Sequence, residues 1–167
     1  MAHVTLKGTP FAIKGDIPTH GPAADFSFVK DNLSEARFSD FDAVKVLIAV
    51  PSLDTGVCQT ETRKFNEQLG QRSGVTGIVV SRDLPFAMKR FCETDGVDNI
   101  VTASDFRDGD FVEKYNTKII EGPFKGLSAR AVFVVDQNNE IVYSELVKEV
   151  GDEPDYDKVM RKVDELL

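Results

Sequence analysis

The sequence predicts an α/β fold, in which strands and helices alternate along the chain. Short apolar runs typical of buried strands are followed by longer segments whose apolar residues recur at helical spacing. The clearest helix is the last, over residues 155–167, which Pro154 opens and whose apolar residues are Tyr156, Val159, Met160, Val163 and Leu167. The 167 residues are 41% apolar and 29% charged, which suits one domain with a full core, so we predict a single domain over residues 1–167.

The predicted elements follow one another from the N-terminus. Two short alternating segments, 4–7 and 11–14, flank Gly8-Thr-Pro10 and predict an N-terminal β-hairpin that lies apart from the main sheet. Beyond the hairpin, the predicted strands are 26–29, 44–50, 75–80, 99–102, 129–135 and 140–147, and the predicted helices are 58–70, 84–93 and 155–167. The last two strands form a hairpin whose turn is Gln137-Asn-Asn139.

Charge and hydropathy exclude several classes of partner. The chain has 20 basic and 28 acidic residues, which gives a net charge of −8. No basic stripe is therefore available to bind nucleic acid. No apolar stretch approaches the roughly 20 residues that cross a bilayer, and no export signal is visible, so we expect a cytoplasmic protein without membrane contact. Only His3 and His20 accompany the two cysteines, and none has metal-ligand spacing, so no metal site is expected.

Cys58 is the most informative residue of the chain. It ends the stretch Pro51-Ser-Leu-Asp-Thr55-Gly-Val-Cys58, which directly follows the apolar run 44–50 and predicts a strand-to-helix turn. Free backbone N–H groups and the positive end of the helix dipole meet at such a turn, and both favour the reactive thiolate. The alternative is that Cys58, like Cys92, is a small buried apolar residue, and the residue alone leaves both interpretations open.

Helical spacing also places the two cysteines within the predicted helices. A helix from residue 58 puts four residues on one inward face: Cys58, Thr62, Phe65 and Leu69. In the second helix Asp83 is the predicted N-cap, with Pro85 in the first turn, and Cys92 lies at a frayed end before Gly96. The predicted apolar stripe of that helix is Leu84, Ala87, Met88 and Phe91.

The residues around Cys58 offer the groups that a thiolate needs to attack a peroxide oxygen. The Thr55 hydroxyl can reach the sulfur, while Pro51 lacks an N–H and can shield the sulfur from solvent. Arg130 is the candidate cation, because it stands just before the apolar run 131–135, and a guanidinium near a core needs an anion. That anion is either the thiolate or an Asp or Glu carboxylate, and an isolated arginine leaves both open.

Three motifs carry a resemblance to a known family. Pro51-x-x-x-Thr55-x-x-Cys58 matches the peroxiredoxin signature, and it is accompanied by Asp83-Leu-Pro-Phe-Ala87 running to Arg90-Phe-Cys92, and by Ala129-Arg130-Ala131. With these motifs the chain resembles the bacterial thiol peroxidase branch of the peroxiredoxins from end to end. It departs at residues 20–26, where His20-Gly-Pro-Ala-Ala-Asp25-Phe26 stands in place of the more frequent Gly-x-x-Ala-Pro-Asp-Phe.

The resemblance implies a thioredoxin-like fold, with a central mixed β-sheet flanked by helices, and an atypical two-cysteine peroxidase. In that family the position of Cys58 attacks hydrogen peroxide or organic hydroperoxides, and the position of Cys92 resolves the product within the same chain. Pro51, Thr55 and Arg130 fall on positions that shape the active site. The resemblance further implies that no cofactor is needed, that thioredoxin or a similar dithiol is the reductant, and that the protein is a homodimer.

Two other functions use the same cysteines. A general thiol–disulfide oxidoreductase would share the fold but would normally carry a C-x-x-C motif, which the sequence lacks. A non-catalytic sensor would pass its oxidation to a partner protein. Consumption of peroxide with a dithiol donor separates the predicted enzyme from both.

Overall fold

Two β-sheets and four α-helices make up residues 2–167, the part of the chain that the computed structural model describes. The strands are β1 (His3–Leu6), β2 (Thr9–Ala12), β3 (Gly21–Pro22), β4 (Ser27–Val29), β5 (Glu35–Arg37), β6 (Val44–Ala49), β7 (Val75–Ser81), β8 (Ile100–Ser104), β9 (Ala131–Val135) and β10 (Glu140–Leu146). The helices are α1 (Gly56–Gly70), α2 (Pro85–Asp95), α3 (Asp110–Lys114) and α4 (Tyr156–Leu166).

The main sheet has eight strands in the order β3-β10-β9-β6-β7-β8-β4-β5. The central strands β6, β7 and β8 are parallel, whereas β9 pairs antiparallel with β6 and with β10. This arrangement confirms the predicted mixed sheet. The carboxyl end of β6 leads through a short loop into α1, so the chain changes from strand to helix where the sequence predicts it.

Both faces of the sheet are covered, which explains why every residue of β6 is buried. Val46 and Ile48 face a cluster formed with the first, second and fourth helices, which includes Cys58, Phe65, Met88 and Val159. Leu47 and Ala49 point the other way, into an aromatic cluster of Phe26, Phe28, Phe38, Phe111, Tyr115 and Phe133. The side chains that alternate along one strand therefore supply two separate cores.

The N-terminal hairpin of β1 and β2 forms its own two-stranded sheet, as predicted, and lies apart from the main one. It covers a third apolar cluster of Val4, Ile13, Ile119, Ala129 and Val150. Ala129 of this cluster directly precedes Arg130, and β9 begins at the next residue.

Several predicted boundaries were wrong by one or two residues. The first helix begins at Gly56 rather than at residue 58, and β9 begins at Ala131 rather than at residue 129. Pro154 does not open the last helix, because Asp155 is its N-cap and accepts a hydrogen bond from the Lys158 N–H. Leu167 lies after that helix and is half exposed.

Candidate active site

Cys58 lies in the first turn of α1 and is completely buried. The helix begins two residues earlier, so Cys58 belongs to the turn whose backbone N–H groups have no partner within the helix. The predicted inward face is confirmed, because Cys58, Thr62, Phe65 and Leu69 are all buried. The turn therefore places a buried cysteine in the first turn of a helix.

Arg130 is a buried cation in direct contact with that sulfur. Its Nη1 donates to Cys58 Sγ at 3.3 Å and to Glu61 Oε1 at 2.7 Å. Its Nε and Nη2 donate to the Val150 carbonyl at 3.3 and 2.7 Å. Burial opposes the charge, but Cys58 and Glu61 outweigh it and hold the pKa of Arg130 above its ordinary value. Both partners considered for Arg130 from the sequence, the Cys58 sulfur and a carboxyl group, are thus in contact with it.

Glu61 was not among the predicted site residues, although it lies one helical turn after Cys58. Glu61 is fully buried. Its Oε2 has no hydrogen-bond partner, and among the side-chain nitrogen and oxygen atoms of residues 2–167 it is the buried one in that position. Burial raises the pKa of Glu61 to about 7, against the opposing effect of Arg130. The i, i+3 spacing from Cys58 was the available signal, but a glutamate in a polar helix segment is usually exposed to solvent.

The buried carboxyl predicts a pH-dependent contribution to stability. Because the pKa of Glu61 in the folded protein lies above the ordinary 4.5, its contribution is complete below about pH 4.5 and is lost as the pH rises through about 7. The rise of this pKa from 4.5 to about 7 corresponds to about 3 kcal/mol in the free energy of unfolding. Glu61→Gln should remove this pH dependence from the free energy of unfolding measured in urea, whereas Glu67→Gln, on the exposed face of the same helix, should keep it. Parallel pH curves for wild type and Glu61→Gln would contradict the assignment.

Pro51 and Thr55 flank the loop that precedes Cys58. Pro51 is buried two residues after the end of β6, and Thr55 is the N-cap residue of α1. The Thr55 hydroxyl donates to the Ser52 carbonyl at 3.0 Å, which leaves its oxygen lone pairs free to accept a hydrogen bond from a bound molecule. The contact of Thr55 with the sulfur stays a prediction.

Asp83 does not cap α2, which corrects the prediction. Leu84 is the N-cap residue instead. It is half exposed, so its place in the predicted apolar stripe was also wrong. The Asp83 carboxylate instead accepts hydrogen bonds from Ser52 Oγ, the Leu53 N–H and Ser81 Oγ, each at 2.7 Å. Asp83 therefore ties the loop before Cys58 to the start of the helix that carries Cys92.

Cys92 lies in the last turn of α2 as a free, half-buried thiol. The predicted frayed end was wrong, because Gly96 closes the helix in the left-handed conformation and the Val97 N–H donates to the Cys92 carbonyl at 3.0 Å. Burial, followed by the charges of three nearby carboxylates, raises the pKa of Cys92 to about 11. Cys92 is therefore a neutral thiol at pH 7, unlike a primary nucleophile.

An open cleft of about 480 Å³ lies against the first turn of α1, and its lining residues are Gly56, Val57, Thr60, Gly151, Asp152 and Glu153. A small molecule in this cleft would meet the helix start that carries Cys58. Within residues 2–167 no group of three or more His, Cys, Asp or Glu side chains is arranged to hold a metal ion. None of the helices in that range is both long and apolar enough to span a bilayer.

The chain is similar to known proteins over nearly its full length. A family model described as Redoxin matches residues 19–160. A thiol peroxidase of Leptospira interrogans is 52% identical over 160 residues, which cover 93% of this chain and 94% of that protein. A thiol peroxidase of Aquifex aeolicus is 48% identical over 166 residues, or 98% of each chain.

A solved structure agrees with the sequence relatives. The crystal structure of a peroxiredoxin-like protein from Aquifex aeolicus matches with a TM-score of 0.94 at 46% identity, over 99% of this chain and 97% of that one. This match confirms the thioredoxin-like fold that the resemblance implied. The chain belongs to the Redoxin family and, within it, to the thiol peroxidases.

Proposed function

We propose that the protein reduces hydrogen peroxide and organic hydroperoxides through Cys58, with Cys92 as the resolving cysteine and thioredoxin or a similar dithiol as the reductant. The observation that carries this proposal is the hydrogen bond from Arg130 Nη1 to Cys58 Sγ at the start of α1. A cation and a helix N-terminus meet at this cysteine, and reactive cysteines lie in such surroundings. The thiol peroxidase relatives support the same chemistry.

In the first step the Cys58 thiolate attacks one peroxide oxygen. An S–O bond forms while the O–O bond breaks, and the departing oxygen leaves with the electron pair and takes a proton to become water or an alcohol. Cys58 is oxidised by two electrons to a sulfenic acid, and the peroxide is reduced by two. Arg130, with an N–H group already directed at the sulfur, can donate to the oxygen on which negative charge develops.

In the second step the Cys92 sulfur attacks the sulfenic acid, an S–S bond forms, and water leaves with the proton of Cys92. Both cysteines are free while both of their helices are intact. A disulfide needs Cα atoms about 4.4–6.8 Å apart, whereas packed helices keep their axes about 8–10 Å apart. We therefore infer that α2 unwinds near Cys92 before the bond forms, because it is short and ends at Gly96.

The reductant then breaks the disulfide by thiol exchange and returns both cysteines to thiols. This cycle uses sulfur for every electron transfer and requires no cofactor. We further propose a cytoplasmic homodimer, on the basis of the family resemblance and of the reducing environment that free cysteines suit.

The proposed function is tested by following peroxide loss together with NADPH oxidation in the presence of thioredoxin and its reductase. We expect repeated turnover, with one NADPH oxidised for each peroxide reduced. Loss of a single equivalent of peroxide would indicate a sensor instead of an enzyme. Reduction of a protein disulfide such as that of insulin, without peroxide loss, would indicate a general thiol–disulfide oxidoreductase.

A further inference from the structure

The N-terminal hairpin lies outside the catalytic sheet, yet it is bonded to the segment that holds Arg130 in place. The Thr5 N–H donates to the Lys148 carbonyl at 2.7 Å, and the Val150 N–H donates to the Thr5 carbonyl at 2.8 Å. The carbonyl of the same Val150 accepts two hydrogen bonds from the Arg130 guanidinium. Val150 is therefore bonded to the hairpin through its N–H and to the arginine through its carbonyl.

Apolar contacts also join the hairpin to Ala129, the residue before Arg130. Val4 and Ile13, on the hairpin and just after it, pack in one buried cluster with Ala129 and Val150. Ala129 directly precedes Arg130 in the chain. The hairpin thus supports the backbone before the arginine as well as the carbonyl that its side chain binds.

Glu149 fastens the turn of the hairpin to the same segment. Its carboxylate accepts hydrogen bonds from Thr5 Oγ1 at 2.9 Å, from the Gly8 N–H at 3.0 Å and from the Lys7 N–H at 3.2 Å. Lys7 and Gly8 both have positive φ angles, which turn their N–H groups toward one anion. These backbone bonds, with the one from Gly151, lower the pKa of Glu149 to about 2, so the carboxylate stays charged at any pH well above that value.

We propose that the N-terminal hairpin is a positioning element for the peroxidase reaction, which holds the Arg130 guanidinium against Cys58 through Val150 and Ala129. This inference rests on the proposed function. A guanidinium is planar, so fixing its Nε and Nη2 on one carbonyl also fixes the direction in which Nη1 points. If the Val150 carbonyl moves, the hydrogen bond from Nη1 to Cys58 Sγ moves with it.

The test uses two variants that loosen the hairpin by different means, both in a Cys92→Ser background so that Cys58 is the only thiol. Glu149→Ala removes the carboxylate that binds the turn, and Val4→Asp places a charge in the buried apolar contact. Glu140→Ala is the matched control, because it removes an exposed carboxylate at the far end of β10. Val4→Ile keeps the apolar contact and serves as the conservative replacement.

Three quantities are measured on each variant: hydrogen exchange of the Thr5 and Val150 amides, the thiolate fraction of Cys58 at neutral pH from its ultraviolet absorbance, and the rate of one reaction with hydrogen peroxide. In both loosened variants we expect faster exchange, a smaller thiolate fraction and a reaction slowed by about tenfold, roughly the effect of one displaced hydrogen bond to a charged group. The control and Val4→Ile should match the Cys92→Ser parent in all three.

Faster amide exchange with an unchanged thiolate fraction and peroxide rate would overturn the inference, since the hairpin would then be purely structural. Unchanged amide exchange in both variants would also contradict the inference. The hydrogen bonds of Glu149 and the apolar contacts of Val4 would then not be what holds the hairpin in place. The proposed function fails by a different result, which is a Cys92→Ser parent that does not react with peroxide at all.

Discussion

Cys58→Ser is expected to abolish peroxidase turnover, with the rate falling by at least about a thousandfold. Serine keeps the buried position and the neighbouring Arg130, but its hydroxyl is far less acidic than a thiol and cannot supply the nucleophile without an added base. The measurement is the initial rate of peroxide loss with excess dithiol, together with thermal unfolding to show that the variant is folded. A rate within tenfold of the wild type would remove Cys58 from the role of nucleophile.

Arg130→Met is expected to have the second largest effect, a loss of about 10²- to 10³-fold in the rate with peroxide. Methionine fills part of the space but offers no N–H group to the sulfur or to the developing oxygen charge. The same change leaves Glu61 buried without its cation, which costs up to about 3–5 kcal/mol if the carboxylate stays charged. The measurements are the single-turnover rate and the free energy of unfolding.

The double variant Arg130→Met/Glu61→Gln separates these two effects. A neutral glutamine needs no cation, so the double variant should recover stability relative to Arg130→Met while the peroxide reaction stays slow. Recovery of the rate together with the stability would show that Arg130 acts only by supporting the fold.

Much of the site could be predicted from local sequence, because its central residues are consecutive or follow helical spacing. The turn from Pro51 to Cys58 combines an apolar strand, turn residues and a helix, and the structure places these elements as expected. Arg130 could be named because charge beside a core strand requires an anion, and it contacts both a thiol and a carboxylate. The family motifs then distinguished the alternatives that single residues left open.

The features that were missed depend on contacts between distant parts of the chain. Glu61 is buried and pairs with Arg130, which lies 69 residues further along the chain, and no local pattern shows this contact. Asp83 binds the loop before Cys58 instead of its own helix because Ser52 and the Leu53 N–H lie opposite it. The five-residue helix α3 is fixed by the Asp105 carboxylate, which accepts from two of its N–H groups from outside the helix.

The most direct test of the account is peptide mapping by mass spectrometry after one equivalent of peroxide is added to the reduced protein. In the wild type we expect one disulfide joining Cys58 and Cys92 of the same chain, with no dithiol left. In Cys92→Ser we expect a sulfenic acid that a dimedone label places on Cys58. Oxidation of Cys92 while Cys58 remains a thiol, or a disulfide that joins two chains through Cys58, would contradict the proposed order of attack and resolution.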